Sequence, residues 1–117
     1  MPRTPITFDT VRRLALALPG VEEGTWYGTA AFRVGRRYFV RLREDADTLA
    51  VRCALDEREV RLAAAPKAFF ITDHYRNYPA VCVRLSAVKV KDLQSVLESA
   101  WRREAGKKLI AEYDARK

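Results

Sequence analysis

Few residues in this chain have the types and spacing that catalysis requires. His74 is the only histidine and stands beside Asp73 in the run Thr-Asp-His-Tyr-Arg-Asn-Tyr, residues 72–78. A histidine next to a carboxylate can serve as a general base, but the role needs a partner within hydrogen-bond reach. No nucleophile neighbours it in sequence, so His74 reads as a structural or surface residue. A zinc-type site needs several convergent His, Cys or carboxylate ligands, and one histidine with the isolated Cys53 and Cys82 does not supply them. Those cysteines, with no CxxC, read as buried thiols of a reducing, cytoplasmic environment rather than as a disulfide. The acidic groups Glu22-Glu23 and Glu44-Asp45-Asp47 read as solvated loop residues, and neither phosphate-binding glycine motif, GxxxxGK[ST] or GxGxxG, occurs. The expectation is a protein that is not an enzyme and uses neither metal nor cofactor.

The abundant chemical group is guanidinium. Lys and Arg total 22 against 15 Asp and Glu, a net charge of +7. Such a balance favours phosphate-bearing partners if the charge converges on one surface, and only solubility if it is dispersed. With 117 residues, 49% of them hydrophobic, the chain has the length of one folded domain. No apolar run reaches the roughly 18 residues of a membrane span. The start, MPRTPITFD, lacks the apolar core of a secretory signal.

The position of the arginines depends on the stretch Ala30–Arg43, a β-hairpin by its β-rich runs on either side of Gly35-Arg36-Arg37. Strand side chains alternate, so one residue more or less in the turn exchanges the faces of a whole strand. A two-residue turn, Gly35-Arg36, mixes apolar and charged residues on both faces. A three-residue turn pairs Val34 with Tyr38 and sorts them: Phe32, Val34, Tyr38, Val40 and Leu42 on one face, Ala31, Arg33, Phe39, Arg41 and Arg43 on the other. The three-residue turn is therefore preferred, although glycine usually comes late in such turns and here comes first. Alternation in Thr48–Cys53 and Val81–Leu85 adds Arg52 and Arg84 to the charged face. The expected outer surface is Arg33, Arg41, Arg43, Arg52 and Arg84 around Phe39, with Arg36 and Arg37 at the hairpin tip.

The flanking elements follow from periodicity and stop signals. Residues 1–6, with two prolines, read as an extended arm. Thr7 caps a helix whose stripe is Phe8, Val11, Leu14 and Leu18, stopped by Pro19-Gly20. Val21–Gly28 reads as a loop or short strand, with Trp26 as core. Asp56 with Glu59, and Leu55 with Val60, suggest a capping box and hydrophobic staple opening a short helix over Glu57–Ala65. Lys67–Ala80 is an aromatic loop. A helix starting near Asp92 carries Leu93, Val96, Leu97, Ala100 and Trp101 on one face, with Lys89 and Lys91 poorly placed at its positive end. Residues 107–117 read as a charged tail, with one or two helical turns at its start. The class is α+β, a two-layer sandwich of one antiparallel sheet with the N- and C-terminal helices on one face.

The segments LALPGVEEG (16–24), AFRVGRRYFVRL (31–42), DEREVRLAAAP (56–66), FFITDHYRNYPAVCVRL (69–85) and DLQSVLESAWR (92–102) together resemble the MmcQ/YjbR family. The resemblance implies a frataxin-like, or CyaY-like, two-layer fold, the general label of DNA-binding protein, and a grip by paired hairpin wings. The chain departs from the family pattern in lacking a Trp near Ala80, in carrying Lys89 and Lys91 where acidic residues are common, and in its acidic turn at Glu44–Asp47, which repels phosphate. The frataxin-like fold also raises iron binding, but its carboxylate ridge is missing: the first helix holds only Asp9 against Arg12 and Arg13. The expected function is non-specific DNA binding through phosphate contacts from Arg33, Arg36, Arg37, Arg41, Arg43, Arg52 and Arg84. The alternative is a regulatory domain that docks an acidic protein on the open sheet face or on the loop 69–78. A small-molecule pocket beneath the aromatic loop is left open by the sequence.

Overall fold

The computed structural model describes residues 6–116. Helix α1 (Phe8–Leu16) leads into an antiparallel meander of β1 (Val21–Trp26), β2 (Thr29–Val34), β3 (Arg37–Leu42) and β4 (Thr48–Arg52). Helix α2 (Leu55–Ala64), the two-residue strand β5 (Phe69–Phe70), a 3-10 turn (Asp73–Tyr75) and β6 (Ala80–Arg84) follow, then α3 (Val90–Glu104) and α4 (Lys107–Ala115). The strands form one sheet in the order β1-β2-β3-β4-β6-β5, every pair antiparallel. The α+β class and the helical layer are as expected. The sheet has six strands because Val21–Trp26 pairs along its full length with β2 and Phe69–Phe70 pairs with β6.

The core lies between the sheet and α1 and α3. Its largest fully buried side chains include Trp101, Phe32, Phe39, Leu49, Leu93 and Leu97. Trp101 satisfies its indole N–H by donating to the Pro19 carbonyl at 2.9 Å, which ties α3 to the turn that ends α1. Thr7 occupies the cap position of α1 without a side-chain cap bond. Helix α2 begins two residues earlier than expected, with Ala54 at its cap and Asp56 inside its first turn. Leu55 and Val60 are both exposed, so the staple does not form. The one or two helical turns expected at the start of the C-terminal tail extend over Lys107–Ala115 as the helix α4, whose Leu109, Ile110 and Tyr113 pack against the core. The extended arm lies outside the described residues except for Ile6, which is buried.

The hairpin turn differs from the expected one, for a physical reason. Val34 pairs with Arg37, so the turn is the two-residue Gly35-Arg36. Gly35 has φ +61° and Arg36 is not among the residues of positive φ, the type II′ pattern with glycine first. Arg33 pairs with Tyr38 but Phe32 pairs with Val40, which leaves Phe39 as the extra residue of a β-bulge. The added residue that sorts the faces is thus in the strand rather than in the turn. Beyond the bulge the pairing Ala31 with Arg41 is the one a three-residue turn would produce. Before it, the faces are exchanged. Tyr38, expected in the core, lies on the face opposite the helices, and Phe39, expected at the centre of the outer face, is fully buried in the core.

Small residues make room for Tyr38. Its ring stacks on Trp26 at 5.4 Å between centroids. A Cβ built on Gly24 would lie 2.6 Å from the Tyr38 hydroxyl oxygen but 3.5 Å from its Cζ. Gly24→Ala is therefore expected to cost about 1–3 kcal/mol, the usual penalty of overpacking. Gly24→Ala with Tyr38→Phe, which removes the clashing oxygen, should recover most of it. Urea titrations of the two single variants and the double variant test the coupling; an additive double variant would place the strain elsewhere.

Candidate nucleic-acid interface

The sheet face away from α1 and α3 is not a flat field of arginine. The segment between β5 and β6 folds back over it, so that Cys82, which pairs with Ala50, is fully buried. Burial pushes the Cys82 thiol above its ordinary range, partly opposed by Arg43. Burial, with help from Glu57, pushes Cys53 up to about 11. Neither thiol is therefore a nucleophile near neutral pH.

Arg58, on α2, holds this returning segment. It is only 6% exposed. Its Nη1 donates to the carbonyls of Tyr75 (3.0 Å), Tyr78 (2.9 Å) and Ala80 (3.0 Å), and its Nη2 to that of Arg76 (3.1 Å). Four carbonyl dipoles surround one buried cation, and only its Nε lacks a partner. The segment has no regular ladder of its own between β5 and β6, so Arg58 supplies what a sheet would otherwise provide.

A cavity of about 470 Å³ opens between this segment and the β1–β2 turn. Tyr75, Tyr78 and His74 form one wall, Trp26 and Tyr27 the other, and Ala50, Arg41 and Arg52 line it between them. Tyr27 and Tyr78 are 75% and 60% exposed, high for large aromatic side chains. Two shallower depressions adjoin it. One, of about 320 Å³, shares Trp26 and Arg52 with the cavity and runs to Arg36 and Arg37. The other, of about 400 Å³, shares Glu44 and is bordered by Arg43, Arg84 and Phe70.

The seven expected site arginines separate into two groups. Arg33 pairs with Glu22 at 3.3 Å and also donates to the Gly35 carbonyl at 2.7 Å. Arg41 is 7% exposed and bonds Thr29 Oγ1 at 2.9 Å and Glu44 at 3.3 Å, with its guanidinium 5.4 Å from the Tyr27 ring centroid. Both are structural. Arg37 and Arg52 share one carboxylate, Glu104, at 3.8 and 3.6 Å. Arg36 is exposed at the hairpin tip. Arg43 lies over the Tyr75 ring at 5.2 Å and Arg84 over Phe70 at 4.7 Å. The outer face is thus not the expected cluster of five arginines around Phe39. Its basic ends are Arg36 with Arg37 and Arg43 with Arg84, on either side of an aromatic cleft.

The acidic turn has a structural task as well. Asp45 accepts from Asp47 N (3.0 Å), Thr48 N (2.9 Å) and Thr48 Oγ1 (2.7 Å), and these bonds hold its carboxyl below the usual range. Asp47 accepts from Ser86 N and Oγ. Glu44 is lowered first by its own backbone N–H and then by Arg41, which keeps its charge on Arg41. Among the described residues no group of three or more His, Cys, Asp or Glu is placed to hold a metal ion, and no helix is long and apolar enough to cross a membrane.

The model of the YjbR family matches residues 16–103 of this chain. The chain belongs to the YjbR family. The match includes the whole cleft and Arg58, and ends before α4. Uncharacterized proteins of Mycobacterium tuberculosis and Mycobacterium bovis are 41% identical to this YjbR chain over 49 residues, 42% of its length. That match spans 38% of each relative. The crystal structure of Deinococcus radiodurans protein DR2400, with the domain DUF419, gives a TM-score of 0.72 over 95% of this chain and 91% of that one. At 22% identity the likeness is one of fold.

Three site residues of this YjbR protein escape sequence reasoning. Arg58 sits in a helix-opening pattern that looks wholly solvent-facing. Trp26 reads as core but lines the cleft. Tyr27 has one legible signal: Tyr-Gly between two β-rich runs is a two-residue hairpin, which puts the tyrosine at its tip.

Proposed function

We propose that this protein binds nucleic acid along the open sheet face, mainly through phosphate. The observation that carries the reading is the line of three adjoining depressions with basic ends and an aromatic centre. Arg36 and Arg37 stand at one end, Arg43 and Arg84 at the other, and Arg52 lies between. With the Arg33–Glu22 and Arg41–Glu44 pairs set aside, Arg36, Arg37, Arg43, Arg52 and Arg84 against Glu104 and Asp45 leave an excess of roughly three positive charges. Contacts from these arginines to phosphate would make the binding sequence-tolerant. The role proposed is that of a binding module.

Three neutralised phosphates correspond to a log–log salt slope of about −2.7 on duplex DNA and about −2.1 on a single strand. Fluorescence anisotropy with labelled oligonucleotides across salt concentration measures it. Arg43→Ala with Arg84→Ala should weaken binding to all sequences alike, and Arg33→Ala should leave it unchanged. A slope near zero, or no binding at about 50 mM salt, overturns the proposal. Polyglutamate bound as tightly as DNA would instead favour an acidic protein as the partner of this face.

A further inference from the structure

We propose that the cavity between the β1–β2 turn and the Arg58-held segment seats an unpaired nucleobase of a single strand. This rests on the reading above and adds to it. The first observation is shape and lining. At about 470 Å³ the cavity is within the roughly 300–1,000 Å³ range of ligand pockets, and Trp26, Tyr27, His74, Tyr75 and Tyr78 line it. A flat, weakly polar ring fills such a slot, and every base has a face that stacks on Tyr or Trp. The second observation is charge. The cavity continues at both ends into depressions that carry arginine, one with Arg36, Arg37 and Arg52 against Glu104 and the other with Arg43 and Arg84 against Glu44 and Asp45, and the phosphates on either side of a seated base would lie on those arginines. A flat apolar ligand without phosphates would leave those ends unused, and a duplex keeps its bases stacked away from the cleft.

The third observation is Tyr27. Trp26-Tyr27-Gly28-Thr29 is a two-residue turn in which Tyr27 has φ +55° and Gly28 φ +80°. Positive φ at both central positions is the type I′ geometry, which favours Asn-Gly and disfavours a bulky side chain at the first position. Stability would choose asparagine here. The tyrosine is held in an unfavourable backbone region, is 75% exposed, stacks on Trp26 at 5.3 Å and lines the cavity. A strained residue at the rim of a cleft is the pattern expected where local stability is given up for binding.

The test compares three probes of equal length by anisotropy: a single-stranded oligonucleotide, an abasic oligonucleotide with the same phosphates, and a duplex. The single strand should bind roughly 5- to 150-fold more tightly than the abasic strand. Tyr27→Asn should remove most of that difference while its melting temperature stays level or rises. Tyr78→Ala, on the opposite wall, should reduce the difference independently. Equal affinity for the base-bearing and abasic strands overturns the base site but leaves the phosphate reading intact. Binding to none of the three overturns both. A Tyr27→Asn protein that keeps the full difference puts the base elsewhere. Free AMP that competes at the concentration of the strand makes a free nucleotide, not a strand, the source of the base, and also overturns the proposal.

Discussion

Replacing Arg58 with methionine is expected to cost about 2–5 kcal/mol of folding stability, because buried backbone carbonyls lose their charged donor. Methionine fills similar volume but offers no donors. The carbonyls of Tyr75, Arg76, Tyr78 and Ala80 would then lose the cation that all four accept from. The Tyr75 and Tyr78 carbonyls keep a backbone donor each, Tyr78 N and Ala80 N, but an acceptor left buried without a partner costs about 1–3 kcal/mol. The segment can limit the loss by opening to water, so the damage should be local. Limited proteolysis within residues 72–79 should accelerate far more than the rest of the chain. Arg58→Lys should rescue only partly, since one ammonium has three donors and no planar fork. A methionine variant that melts like the parent protein and keeps this segment protected would show that the four bonds are incidental.

Phe39→Ala should be similarly severe, about 3–5 kcal/mol, as for other large-to-small changes in a core. The number distinguishes two registers of the same hairpin. On an outer sheet face beside arginines, Phe39 would be worth under about 1 kcal/mol by analogy with other surface positions. Fully buried between the sheet and the helices, it leaves a cavity that the surrounding side chains cannot close. Denaturant unfolding with an unchanged m-value measures it directly. Loss of less than 1 kcal/mol would return Phe39 to the solvent side and undo the bulge.

That hairpin also shows which kind of information sequence carries. Alternation in β3 and β4 placed Val40, Leu42, Leu49 and Val51 toward the helices and Arg41 and Arg52 away from them, and the pairing agrees. Alternation also required one extra residue between Val34 and Val40. It does not say whether that residue belongs to the turn or to the strand, because both satisfy the same face pattern beyond it. Gly35 in first position was the discriminating signal, and it marks a type II′ turn. The α3 stripe and Trp101 were legible because helical periodicity over fifteen residues is redundant.

The cleft was less legible because its parts are not periodic. Trp26 and Tyr27 come from one hairpin, Tyr75 and Tyr78 from a segment without a ladder, and Arg58 from a helix between them. The charges were counted correctly and their partners were not: Glu104, which serves both Arg37 and Arg52, is more than fifty residues from either in sequence. Local pattern reading has no access to such pairs.

The Arg58 network has a consequence for association thermodynamics. A loop that must be immobilised on binding gives up conformational entropy at that moment, about 0.5–1.5 kcal/mol for each rotamer-rich side chain and more for free backbone. Here the backbone of one cleft wall is already fixed during folding by its bonds to Arg58, and the other wall is a two-residue turn with little freedom left. The ordering cost of the proposed complex would therefore fall on the incoming molecule more than on the backbone of the protein.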